Sequence, residues 1–230
     1  VDPGNQIEET AWPNRILVGL ISISGSVLLG GVLISTISNI IERRVGVVYA
    51  GRMTYRNIKN HYVLIGFNEL SINMIRELYD ECPSARILLM SGMESATVRH
   101  RIQSALPVEV ERQVLVYFGN IESIEELQRL NIESAIEVYV LGDEERYGRD
   151  AKNIAIVHLV STLRGKCYDG KMMPVYVQFD SIPSYSNIQK MNLPPEVFCI
   201  EGKPNIFFRP FNLHENLARQ LWSLYGADCE

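Results

Sequence analysis

The chain has 230 residues, with 22 Lys and Arg against 27 Asp and Glu, a formal net charge of −5 and a pI near 5.5, a balance that offers no basic footprint for nucleic acid. Its four cysteines, Cys82, Cys167, Cys199 and Cys229, are scattered. That spacing excludes a paired-cysteine zinc site and a dense disulfide framework, and reads as reduced thiols.

The amino-terminal stretch carries the acids Asp2, Glu8 and Glu9, and is followed from Ile16 to Ile41 by 26 residues without one charge. At 1.5 Å per residue this run reaches about 39 Å, against a hydrocarbon core about 30 Å thick, so it predicts a membrane-spanning helix. A cleavable signal peptide has a basic leader and a shorter apolar run, and a buried helix of this length without a polar face is rare. The run is rich in small residues, among them Gly19, Ser22, Gly25, Ser26, Ser35 and Ser38, which let transmembrane helices approach closely. The adjacent Gly30 and Gly31 are the candidate bend, hence a gating hinge. Such a helix can line a pore or pack against neighbours for stability, and both readings stand. Arg43, Arg44, Arg52, Arg56 and Lys59 follow the span, which places its carboxyl side in the cytoplasm.

From His61 the pattern becomes that of a soluble α/β domain of roughly 170 residues. Short apolar runs at Tyr62–Ile65, Ile87–Met90, Val114–Phe118, Val138–Leu141, Val175–Val177 and Val197–Ile200 have the length and β-branched content of buried parallel strands. Helical periods lie between them: Leu70, Met74, Ile75 and Leu78; Ile124, Leu127 and Leu130; Ala151, Ile154, Ala155 and Leu159. The alternation predicts a Rossmann-like doubly wound parallel sheet preceded by one transmembrane helix, with ligands at the carboxyl ends of the strands. The chain starts at Val1 and stops at Glu230 just past a helical pattern, as expected of a piece of a longer polypeptide.

The first strand-to-helix turn reads Gly66-Phe67-Asn68-Glu69-Leu70-Ser71. A dinucleotide fingerprint has glycine at positions 66, 68 and 71; only Gly66 is present, although Asn68 caps helices well and Ser71 is small. Met90, Ser91 and Gly92 stand where an acid would hold the ribose, so Gly66, Asn68 and Ser71 are cofactor-binding candidates in a turn whose sequence argues against NAD. The histidines at 61, 100, 158 and 214 share no metal-ligand spacing, and Ser71, Ser91 and Cys82 have no visible base partner. No catalytic residue is assigned, and the chain is not read as an enzyme.

The segment Gly119-Asn120 through Leu127, Leu130, Asn131, Ile132 and Ala135 into Val138–Leu141 resembles the characteristic third-helix stretch of RCK domains, which regulate potassium conductance (TrkA-N-like). That family usually has aspartate at 120 and glycine at 131; asparagine keeps the local physics at both, as a cap and in the left-handed conformation. Asp150 and Asn153 fit the same pattern, and Asp2-Pro3-Gly4-Asn5 resembles the tail of the selectivity filter in CASTOR and POLLUX-type cation channels, whose order is filter, inner helix, RCK domain.

The resemblance implies a tail of the pore loop at 1–13, an inner pore helix at 14–44, a linker at 45–60, an RCK domain at 61–202 and a crossover helix at 203–230. It implies a homo-tetramer in the membrane, four inner helices lining a path for potassium or other cations, and cytoplasmic RCK domains forming a ring. Asp2, Gly4 and Asn5 become filter-adjacent candidates, where the alternative is an extracellular turn. Calcium becomes the candidate ligand, held by Asp143, Glu144, Glu145 and Asp180 at the strand ends, where the alternative is a solvated loop without calcium-loop spacing. Asn212 and Glu215 form a capping box ahead of Leu213, Leu217, Leu221 and Leu224, a stripe that serves either an interface or its own sheet. The expected function is a subunit of a ligand-gated cation channel. The alternative is a membrane-tethered nucleotide-sensing subunit of a cation transporter, and a membrane-bound oxidoreductase is disfavoured by the missing glycines.

Overall fold

The computed structural model describes residues 12–49, 51, 53–144, 148–166, 171–191, 199–200 and 203–216. The chain divides into two compact units, Val1–Val48 and Tyr49–Glu230. In the first, helix α1 (Trp12–Tyr49) contains Gly19–Glu42, a segment long and apolar enough to cross a membrane. The hydroxyls of Ser24 and Thr36 donate to the carbonyls of Ile21 and Val32 at 3.0 and 2.7 Å, so these polar groups are satisfied within the helix itself. The helix continues through Gly30 and Gly31, and a Cβ at either would meet nothing within 4 Å. The filter-adjacent candidates Asp2, Gly4 and Asn5 lie outside the described residues.

The second unit alternates strand and helix: β1 (His61–Ile65), α2 (Ser71–Glu81), β2 (Ile87–Ser91), α3 (Ser95–Ala105), α4 (Val108–Glu111), β3 (Val114–Phe118) and α5 (Ile124–Gln128). After a 3₁₀ turn at Ile132–Ser134 come β4 (Ala135–Val140), α6 (Arg149–Lys166), β5 (Met173–Gln178), α7 (Ile182–Lys190), β6 (Cys199–Ile200), β7 (Lys203–Pro204) and β8 (Ile206–Phe211). Six strands form one parallel sheet in the order β3-β2-β1-β4-β5-β8, and β6 pairs with β7 in a separate antiparallel ribbon. This is the expected Rossmann-like doubly wound sheet, with its order reversing between β1 and β4. All five residues of β1 and of β2 are buried, because helices cover both faces. Val63 and Ile65 pack on one side with Leu88, Met90, Val138 and Val140, while Leu64 and Leu89 pack on the other with Ile75, Val98 and Val116.

Two sequence expectations are corrected. The sixth strand is Ile206–Phe211 rather than Val197–Ile200, so the sheet runs past residue 202. Pro210 has no N–H to give, and it is accommodated because β8 is an edge strand. In α6 the buried stripe is Asn153, Ile156, Val157, Val160 and Leu163, whereas Ile154 is 39% exposed, so the core face is rotated from the one read at Ala151, Ile154, Ala155 and Leu159. Both stripes have helical spacing; the true one contains a polar residue whose partner lies on another element.

The described part of the 51–60 segment is docked rather than free. Phe118 N–H donates to the Gly51 carbonyl at 2.7 Å, Tyr55 N–H to Arg129 at 2.8 Å and Asn60 N–H to Ser134 at 3.1 Å, and the Tyr55 ring is buried in the core. His61, also buried, donates from Nε2 to the Leu130 carbonyl at 3.0 Å; burial holds its pKa below the usual histidine value.

Candidate functional site

At the reversal of strand order, β1 and β4 end in loops whose backbones touch. Gly66 has φ +97°, and a Cβ built on it would fall 2.2 to 2.4 Å from backbone atoms of Gly142, itself at φ +74°. The N–H groups of Leu141 and Gly142 both donate to the Ile65 carbonyl, at 2.9 and 3.1 Å, and hold the two loops in register.

Asn68 fills the position where a fingerprint would have its second glycine. The side chain is buried and its Nδ2 donates to the carbonyls of Leu141 and Gly142 at 3.0 and 3.3 Å and to Gln178 Oε1 at 2.9 Å, while Oδ1 accepts Leu70 N–H at 2.9 Å. Ser71 is buried as well, and its hydroxyl accepts the Asn68 N–H at 2.9 Å. Gly66, Asn68 and Ser71 are therefore brought together, but both polar side chains are buried: Ser71 braces the turn itself, and Asn68 ties it to the end of β4 and to β5.

The mouth of the turn is taken by Asp143. Its Oδ1 accepts Phe67 N–H at 3.0 Å and the Ser91 hydroxyl at 2.6 Å, and its Oδ2 accepts Gly92 N–H at 3.0 Å. The carboxylate that sequence reasoning sought at the end of β2 reaches that end from the β4 loop. As the residues stand, they do not fit a pyrophosphate on the glycine turn, because an anion there would meet this carboxylate.

Beyond β4, Arg149 opens α6 almost wholly buried, with a 2.7 Å ion pair from Nη1 to Asp180 Oδ2. Asp180 Oδ1 also accepts Gln178 Nε2 at 3.0 Å, and Asp150 accepts the N–H groups of Asp180 and Ser181 at 2.8 and 3.2 Å. Asn153 Nδ2 donates to the Gln178 carbonyl at 2.9 Å, and Asn212 Nδ2 to that of Phe179 at 2.7 Å. Arg149 lines two cavities, one of about 430 Å³ bordered by Asn68, Glu144, Asp180 and His214, the other of about 190 Å³ bordered by Gly92, Asn120, Asp143 and Lys152.

The calcium candidates among the described residues each have other partners. Asp143 faces N–H and O–H donors, Glu144 pairs with Arg101 at half-exposed positions, Asp180 pairs with Arg149, and Glu145 lies outside the described residues. Among the described residues no group of three His, Cys, Asp or Glu is placed to hold a metal ion. Asp180→Ala tests its pairing: it strands a buried guanidinium and should cost about 2 to 3 kcal/mol in urea unfolding without calcium. A loss within about 0.5 kcal/mol, the range of an ordinary surface substitution, would show that Asp180 does not sustain Arg149.

Sequence reasoning passed over Arg149, Gln178 and the role of Ser91. A basic residue directly before Asp150 was the available signal for Arg149; nothing local marked Gln178. Other features match their expectations: Asn131 is left-handed at φ 51°, and Glu215 N–H donates to Asn212 Oδ1 at 2.9 Å. Leu217, Leu221 and Leu224 lie outside the described residues.

No family model matches the chain, and no curated protein matches it. Among solved structures it is similar to the GsuK channel bound to ADP, at 14% identity and a TM-score of 0.54, over 93% of this chain and 48% of that one. It is also similar to the GsuK channel bound to NAD, at 13% identity and a TM-score of 0.52, over 79% of this chain and 30% of that one. This chain thus spans half or less of the chains it resembles, and the likeness is one of fold: the Rossmann-like sheet described above is an architecture also found in a channel.

Proposed function

We propose that the chain is part of a subunit of a ligand-gated cation channel, in which α1 contributes to the pore and the Rossmann-like domain is an RCK-type sensor. The observation that carries this reading is a helix long and apolar enough to span a bilayer, followed in the chain, after residues 50–60, by a Rossmann-like domain. The 93% of the chain that aligns with the ADP-bound GsuK channel is too much to leave out the 38-residue α1, which supports reading helix and domain together. Potassium is the ion that the resemblance to RCK domains implies, and the resemblance of Asp2-Pro3-Gly4-Asn5 to a CASTOR and POLLUX-type filter supports a cation path. Four copies would line the pore, with their domains ringed on the cytoplasmic side. A ligand that binds one arrangement of the ring more tightly moves the equilibrium by its difference in affinity and no more.

Calcium is the ligand class the family resemblance favours; to bind it, Asp180 would exchange Arg149, and Asp143 its three donors, for the ion. A second reading, a membrane-tethered nucleotide sensor acting on a separate transporter, is favoured by the switch-point crevice and by neighbours bound to ADP and NAD. Planar-bilayer recording of the full-length protein, with potassium as carrier and calcium or ADP added on the domain side, separates them. Discrete unitary currents whose open probability follows either ligand are expected. Silence from inserted, tetrameric protein would overturn the channel reading and leave the tethered sensor.

A further inference from the structure

The β1–β2 side of the crevice is built to hold an anion and holds one of the chain's own. Phe67 N–H from the end of β1, Gly92 N–H from the end of β2 and the Ser91 hydroxyl converge on a single carboxylate at 2.6 to 3.0 Å. The Ser91 oxygen accepts Met93 N–H at 3.0 Å, which leaves its own proton for Asp143. Gly92 permits the close approach, since a Cβ there would stand 3.1 Å from Asp143 Oδ2. Three donors without a cation among them suit an anionic oxygen of any parentage, and a phosphate oxygen satisfies them as a carboxylate oxygen does. The 190 Å³ cavity alongside, bordered by Asp143, Arg149 and Lys152, has room for a phosphate group.

We propose that Asp143 is an internal ligand of this crevice: it occupies the donors that would receive a nucleotide phosphate, so that a nucleotide binds there only when Asp143 withdraws. The inference rests on reading the domain as a ligand sensor and is independent of the pore. It also inverts the role the family resemblance implies for Asp143, since a residue that recruits a ligand weakens binding when removed, whereas an internal competitor strengthens it.

The test is calorimetric titration of ADP, and separately of adenosine, into the full-length protein in detergent, for the native chain and for Asp143→Ala and Asp143→Asn. Asp143→Ala should bind ADP about tenfold or more tightly than the native chain, because a charge is removed and three donors are released. Asp143→Asn, nearly isosteric, should move the same way and serves if the alanine variant does not fold. Adenosine, which has no phosphate, should gain nothing. Equal or weaker ADP affinity in a folded variant would overturn the proposal, and an equal gain for adenosine would overturn the assignment of these donors to phosphate. Because the readout is binding, a gain in ADP affinity upholds the inference even if no current is ever recorded.

Discussion

Gly66→Ala should cost the domain about 3 to 5 kcal/mol, a large share of the 5 to 15 kcal/mol by which ordinary domains are stable. Two penalties add. At φ +97° an L side chain is strained whatever the surrounding space, by about 1 to 3 kcal/mol. The new methyl would also lie 2.2 Å from the Gly142 backbone, which cannot swing aside as a side chain could, because Leu141 and Gly142 are bonded to the Ile65 carbonyl. Relief requires parting β1 from β4, the two central strands of the sheet. Urea unfolding of the full chain followed by amide exchange in β1 and β4 measures the loss. A midpoint shift worth less than about 1 kcal/mol would mean that the two loops do not touch in solution.

Asn68→Gly should also destabilise, by about 2 to 4 kcal/mol, although it moves the turn toward a dinucleotide fingerprint. The substitution deletes one acceptor and a donor group shared by three oxygens, leaving Leu70 N–H and Gln178 Oε1 without these partners in a buried setting. Glycine also widens the conformational freedom of the unfolded turn. Nucleotide affinity should not rise, because the Asp143 carboxylate still covers Phe67 N–H. Thermal melting together with an ADP titration checks both halves: a variant as stable as the native chain contradicts the role given to the Asn68 amide, and one that gains ADP binding contradicts the role given to Asp143.

The sheet was legible because buried parallel strands announce themselves in short apolar runs, as at Ile87–Met90 and Val114–Phe118. β8 was not, because Arg209 and Pro210 dilute its apolar signal and only its edge position makes them acceptable. The core face of α6 was misread since Asn153 belongs to it through a bond to Gln178, 25 residues away. In the site, Gly66 could be read from its place after an apolar run. The hydrogen bonds of Asp143 were not legible: acids in a loop look solvated or metal-binding, and its partners Phe67, Ser91 and Gly92 stand 76, 52 and 51 residues upstream. Local composition tells which side chains can bond; it does not tell which of them the fold will bring face to face.

The bonds around Asn68 also divide the crevice mechanically. On the β4–β5 side, parting the loops means breaking the Asn68 amide contacts, the Asp150 clasp on residues 180 and 181 and the Arg149–Asp180 pair together. Losing them together costs far more than losing any one, so this half should move as a plate, with its amides among the slowest of the crevice to exchange. On the β2 side, beyond the Gly66 N–H bond to the Met90 carbonyl that continues the strand pairing, one carboxylate spans the loops through three hydrogen bonds, so there is less to break. The compliance of the domain is thus one-sided, and any ligand that reshapes it cheaply must do so where Asp143 lets go.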